Sequence, residues 1–434
     1  MHLKLTKVNV ILRTIFFLST FILFNLTGSY GANRFSVASG NWNSNSTWSA
    51  TSTGAPGASV PVAGDVVTIE NGNVVTVNAD AECANIQLGS TSKRGGAGTL
   101  TFNSGVTLTV SGAVVLGNTG STSRFGTIIM TSGGTLSCAS LTSNSTKDVF
   151  TEGIGTIVIT STNTFPIANT SGILNTFNNI VVSVGTTTLF TNTTITGNLS
   201  VSIGATLNTN NKNLTLNGDF TNYGTFTAGS SNIILTGTTA TQSISGFTTT
   251  GNLSITKTTG TATLYGNVNG GALILNGAGT LNLGAGLNHT FTGTWTRTNG
   301  TLNGGSSILN FSITGTVVSG TGGTFTPSTG TVNYSGAAQS IAAYTYNNLT
   351  LSGTGAKTFQ TGTTTVNSVL SIENGAIANA FTGSLSYGSN ATLQYNTASA
   401  RTAGAEWVTP FIASGGIANA GSGTINFRTF INRW

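Results

Sequence analysis

The sequence predicts an all-β protein, a β-solenoid of stacked parallel strands behind an N-terminal cap, and three observations predict it. A short alternating stretch keeps returning, as Asn178-Asn179-Ile180-Val181-Val182, Asn198-Leu199-Ser200-Val201, Gly251-Asn252-Leu253-Ser254-Ile255 and Asn347-Asn348-Leu349-Thr350-Leu351. Apolar residues two apart mark a strand with one buried face. The returns are also periodic: Gly98-Thr99-Leu100-Thr101-Phe102 comes back as Gly126-Thr127-Ile128-Ile129-Met130, and again, nearly as far on, as Gly155-Thr156-Ile157-Val158-Ile159. Periods of roughly 20 to 50 residues belong to stacked repeats. The third observation is composition. Only 6% of the residues are charged, against roughly 25% in ordinary soluble domains, while 59 are glycine and five are proline. Such a chain lacks the Glu, Lys and Gln that build long helices, and its Thr, Ser, Asn and Gly suit short strands joined by tight turns.

Residues 1–31 read as a secretory signal peptide. Lys4, Lys7 and Arg13 form its basic start, Ile15 through Phe24 its apolar centre, and Ser29-Tyr30-Gly31 a small-residue cleavage site. A permanent anchor would need an uninterrupted span of about 20 apolar residues. Ser19, Thr20 and Asn25 break this one, so cleavage is the expectation, with no membrane span left afterwards. Removing the three leader bases from the 15 leaves 12 against 9 acids, a net charge of +3. The remaining bases are scattered apart from Lys93-Arg94, and nucleic-acid binding needs a basic stripe.

Residues 32–70 form the N-terminal cap, with Trp42 and Trp48 followed by Pro56, Pro61 and Ala63-Gly64-Asp65. A strand stack needs its open end covered, because an unpaired edge invites aggregation. The two tryptophans are the expected plug. They are also the one candidate for a glycan contact, as an aromatic platform.

Residues 71–160 are expected to form coils with a period of about 28 residues, inside the range of solenoid repeats. Ser104-Gly105-Val106-Thr107-Leu108 returns on the same period as Ser132-Gly133-Gly134-Thr135-Leu136. Cys83 and Cys138 fall at equivalent sites two coils apart, with Gly112-Ala113-Val114 between them. Two coil spacings of about 4.8 Å put the thiols roughly 10 Å apart, beyond the roughly 7 Å Cα limit of a disulfide. Both should be free and buried. Residues 161–434 should coil with a shorter period of about 20 residues per turn, again a solenoid spacing. On that period Leu199 answers Ile180, and Leu370 answers Leu349. Over this lies a longer repeat, in which Gln242-Ser243-Ile244 and Leu253 return as Gln339-Ser340-Ile341 and Leu349. The last residues, Arg428 to Trp434, offer no polar closing element, so the chain is expected to be part of a longer one, truncated at its C-terminus.

The carrying residues together resemble a family of secreted Bacteroidota surface proteins. They are Gly40-Asn41-Trp42, Thr47-Trp48, Pro61, Ala63-Gly64-Asp65, Ile69, Val74-Val75-Thr76-Val77 and Cys83-Ala84-Asn85-Ile86, then Gln339-Ser340-Ile341, Tyr346-Asn347-Asn348-Leu349 and Lys357-Thr358. The opening is also similar to the G8 domain of extracellular proteins. The resemblance implies a right-handed parallel β-helix, location outside the cell or on its outer surface, and a structural or adhesive role. Members usually end in a β-sandwich sorting domain for type IX secretion, and this sequence has no such ending.

Chemistry is sparse. A polysaccharide lyase on such a fold needs clustered acids and a base. The nine acids are Asp65, Glu70, Asp80, Glu82, Asp148, Glu152, Asp219, Glu373 and Glu406, and no further acid recurs at coil spacing to complete a cluster. Asp80 with Glu82, and Asp148 with Glu152 beside Lys147, read as solvated turns. His289 is the one histidine outside the leader, so a Ser-His-Asp triad or a histidine metal site has a single candidate. No cofactor or metal is expected. Three functions remain: a non-catalytic surface stalk, a protein that binds or degrades extracellular polysaccharide, and an ice-binding solenoid. The stalk's partners would be extracellular polysaccharide or a host or neighbouring cell surface, not nucleic acid. Ice binding requires Thr-x-Thr pairs in register on successive coils. The triplets Thr186-Thr187-Thr188 and Thr363-Thr364-Thr365 lie at unequal sequence spacing, which puts this reading last.

Overall fold

A computed structural model describes residues 31–90, 95–119, 121, 123–168, 174–379, 382–408 and 411–426. The leader through Tyr30, Lys93-Arg94 and the ending from Phe427 onward lie outside the described residues. The chain forms two compact units, residues 1–151 with 168–172, and residues 152–167 with 173–434. Both are parallel β-solenoids. Among the described residues no helix is long and apolar enough to cross a membrane.

In the first unit each coil contributes strands to three faces. On one, Val67, Ile86, Val114 and Leu141 stand in register, each paired with the next. On the second the series is Val75, Leu100, Ile128 and Phe150. On the third, Leu108 pairs with Leu136. Apart from the half-buried Phe150 at the end of its series, these aliphatic residues are buried because alternate side chains of each strand point inward, so stacking coils makes one continuous core. Gly98 and Gly126 pair as their sequence repeat implies. The third copy does not follow: Ile128 is covered by Phe150, whereas Ile157 belongs to the second unit and pairs with Ile180. Similar strand words therefore serve different faces.

The start of the unit is built differently. Strand Asn33–Ser36 pairs in parallel with Val66–Ile69 and antiparallel with Trp48–Ser49, so the chain folds back over its own first coil. Trp42 and Trp48 pack edge to face at 5.1 Å, and the Trp48 indole N–H donates to the Trp42 carbonyl at 2.7 Å.

The second unit repeats shorter coils. One inward column runs Leu214, Ile233, Leu253, Leu273 and Trp295, and Trp295 pairs onward with the half-buried Val318. Another runs Val332, Leu349, Leu370 and Leu393, with Tyr334, Leu351, Ile372 and Tyr395 beside it. Ile180 pairs with Leu199 and Leu349 with Leu370, the pairs that the shorter sequence period indicates. Leu349 and Leu351 are fully buried, while Asn348, Thr350 and Ser352 are half-buried on the outer side.

Turns between strands are held by side-chain amides. Asn213, Asn232 and Asn252 each accept, through Oδ1, the backbone N–H of the residue one coil on, namely Asn232, Asn252 and Ala272. A second ladder links Asn179, Asn198 and Asp219 to Asn198, Asp219 and Ser243 in the same way. Each bond satisfies an amide left over where a strand ends. Glycine is needed where turns stack closely: Gly260 has φ +74° and a Cβ there would lie 2.1 Å from the Thr239 carbonyl oxygen.

Candidate functional site

The side chains able to do chemistry are mostly engaged in holding the coils. Asp148 accepts from the backbone N–H groups of Gly126, Asn144 and Ser145 and from the Ser143 hydroxyl, all within 2.9 Å. Asp65 accepts from the N–H groups of Ala32 and Val62 and lies 3.7 Å from the Arg34 guanidinium. Glu70 takes the Ser52 hydroxyl, and Glu406 takes the Gly404 N–H and the Tyr395 hydroxyl. These carboxylates act as turn clamps, each taking fixed donors of the chain in place of water.

His289 is fully buried. Its Nδ1 accepts the Val268 N–H at 3.0 Å, which leaves Nε2 to donate to the Leu283 carbonyl at 2.9 Å. Both ring nitrogens are used, and burial lowers the pKa, so the ring is a neutral core strut with no free nitrogen for a proton or a metal. Among the described residues no group of three or more His, Cys, Asp or Glu side chains comes together.

Cys83 and Cys138 occupy one column with Val110 between them, since Cys83 pairs with Val110 and Val110 with Cys138. The intervening residue is thus Val110 rather than the Gly112-Ala113-Val114 stretch, because a bulge between Cys138 and Ser140 shifts the register there. Both thiols are free and buried, and burial pushes each up to about 12.

Trp42 and Trp48 are 2% and 0% exposed. A ring that stacks on sugar needs an open face, and this pair closes on itself and on the first coil. Neither Trp42 nor Trp48 therefore presents an open ring face. The exposed polar feature of this unit lies elsewhere. Asp80 and Glu82, alternate residues on one outer face, line an open groove of about 570 Å³ with Thr107, Thr109, Pro61 and Val62. Glu82 sits beside Thr109 in the ladder, and Asp80 accepts the Thr107 N–H at 2.8 Å. Among the described residues lining it these are the only acids, and their oxygens can accept hydrogen bonds from a polar ligand.

A second candidate was not legible from triplet spacing. In the second unit, strands Thr241–Ile244, Thr261–Leu264, Thr280–Asn282, Thr301–Asn303 and Thr324–Thr326 stack in register. Their outward residues form two columns: Thr241, Thr261, Thr280, Thr301, Thr324, and beside it Ser243, Thr263, Asn282, Asn303, Thr326. The residues between them, from Gln242 to Leu302, are buried. A shorter stretch does the same over three coils, with Thr186 and Thr188, Thr206 and Asn208, and Thr225 and Thr227.

No protein-family model, curated protein or solved structure matches the chain.

Proposed function

We propose that this chain is a non-catalytic, secreted structural and adhesive segment of a cell-surface protein, of the kind its Bacteroidota-like repeats and G8-like opening resemble. The observation that carries the reading is the use of the reactive side chains. His289 has both nitrogens committed to backbone groups, and Asp65, Asp148, Asp219 and Glu406 are clamped to turn amides. A repetitive core with its acids in the turns favours presenting surface over turning over substrate. Contact with extracellular polysaccharide is the second reading, favoured by the open groove at Asp80 and Glu82.

The test is a screen of the purified chain against pectin, alginate and glycosaminoglycans, scoring product release and retention separately. The structural reading expects no depolymerisation, and surface attachment lost when the chain is deleted from its cell. Product release that disappears in Asp80→Ala or Glu82→Ala would replace it with an enzyme.

A further inference from the structure

We propose that the outer face built by Thr241–Ile244, Thr261–Leu264, Thr280–Asn282, Thr301–Asn303 and Thr324–Thr326 binds the surface of ice. Unequal sequence spacing disappears once the strands are paired: the extra residues lie in the turns, and one column is threonine on all five coils. The column beside it mixes Ser243, Thr263, Asn282, Asn303 and Thr326, so that full Thr-x-Thr pairs stand at Thr261/Thr263 and Thr324/Thr326 and hydroxyl or amide groups complete the other rungs. Neighbouring rungs are about 4.8 Å apart, and alternate residues of one strand about 6.6 Å apart. The face is therefore a two-dimensional grid of hydroxyl and amide groups, with repeats close to the oxygen–oxygen repeats on faces of the ice lattice.

Three further properties suit that occupant. None of the ten outward positions is charged, and a charge would hold its own hydration shell against the lattice. The amides of Asn282 and Asn303 are tied to the turns that follow them. The hydroxyls of Thr241, Thr261, Thr263, Thr280, Thr301, Thr324 and Thr326 make no hydrogen bond within the chain among the described residues, so each is open to water. Threonine is also stiff at χ1, and a rigid sheet fixes its backbone. The grid is thus preorganised, and little conformational freedom is lost on binding. Sugar recognition would want aromatic faces, and none of the ten positions is aromatic. The Tyr265 ring stands only at the exit of its strand.

The neighbouring strands of the same coils lack the pattern. The outward column Thr215, Ile234, Ser254, Ile274, Thr296 has one outward residue per strand and alternates with isoleucine. It supplies the control.

The experiment is thermal hysteresis and inhibition of ice recrystallisation by the full chain. The expected result is activity in the native chain, lost in the double variant Thr261→Tyr with Thr301→Tyr and kept in Ser254→Tyr, with all three melting alike. A native chain that shows neither effect overturns the proposal. So does activity that survives the double variant, or retention on crystalline cellulose or chitin without hysteresis. An ice-inactive chain would leave the structural reading of the protein standing.

Discussion

Oδ1 of Asn252 accepts the backbone N–H of Ala272 at 2.9 Å, one coil further on, while the Asn252 N–H donates to Oδ1 of Asn232 at the same distance. The residue is both guest and host in a ladder, so each rung positions the next. Asn232→Ala removes an acceptor and leaves the Asn252 amide without its partner in a half-buried turn. The expected loss is about 1–2 kcal/mol, read from the urea midpoint, with Asn232→Asp recovering most of it because the acceptor oxygen remains. Equal stability of the alanine variant and the native chain would show that water replaces the bond at no cost.

Leu253 is fully buried between Ile233 and Leu273. Leu253→Ala should cost about 2–5 kcal/mol through lost transfer energy and the cavity left behind. Leu253→Asp should cost more, since it buries a charge without a partner. Denaturation monitored by circular dichroism distinguishes the two, and an aspartate variant as stable as the native chain would contradict the inward assignment.

Lys357 is a buried cation whose ammonium donates to the carbonyls of Gly336 and Ala337 and to Oε1 of Gln339. Burial nevertheless lowers its pKa to about 8 from 10.5. Between those values the unfolded chain binds more protons than the folded one, so this group makes stability rise with pH across the window. Below about 8 both states are charged and the slope vanishes. The urea midpoint should therefore climb from pH 8 to 9, and the climb should be missing in Lys357→Gln.

The thiols act in the opposite sense. Their native pKa values, about 12, exceed the ordinary 9.0, so above pH 9 the unfolded chain loses protons first. Their contribution is whole below pH 9 and falls between pH 9 and about 12. Cys83→Ala with Cys138→Ala should flatten that decline. In the folded chain neither thiol should react with a thiol reagent, and both should react in denaturant. A disulfide between Cys83 and Cys138 formed under mild oxidation would refute the two-coil separation.

Much of the architecture was legible because the solenoid writes its core twice over, once in alternation and once in period. Leu349 with Leu370, and Ile180 with Leu199, could be paired from spacing alone, since their turns have similar lengths. Gly155 misled because strand words are shared among faces, and only three-dimensional register separates Ile157 from Ile128. The glutamines of the long repeat were visible as a motif, but their purpose was not. Gln242 reaches back to the carbonyls of Leu216 and Gly218, and Gln339 to that of Phe311. The site was harder still. Burial of Trp42 and Trp48 depends on the antiparallel return of Trp48–Ser49, a non-local pairing that no periodicity encodes. The hydroxyl grid was hidden because sequence distance counts turn residues that the ladder ignores.

The asparagine ladders also bear on how the second unit would behave under load. Each rung is tied to its neighbours by short strands and side-chain amides, and both cysteines of the chain lie in the first unit. Tension applied at one end therefore meets one coil's bonds at a time, never the whole stack. Each coil that peels away releases about 20 residues, or roughly 70 Å of slack. Under an end-on pull this unit is therefore expected to lengthen in steps of one coil, which single-molecule stretching would read.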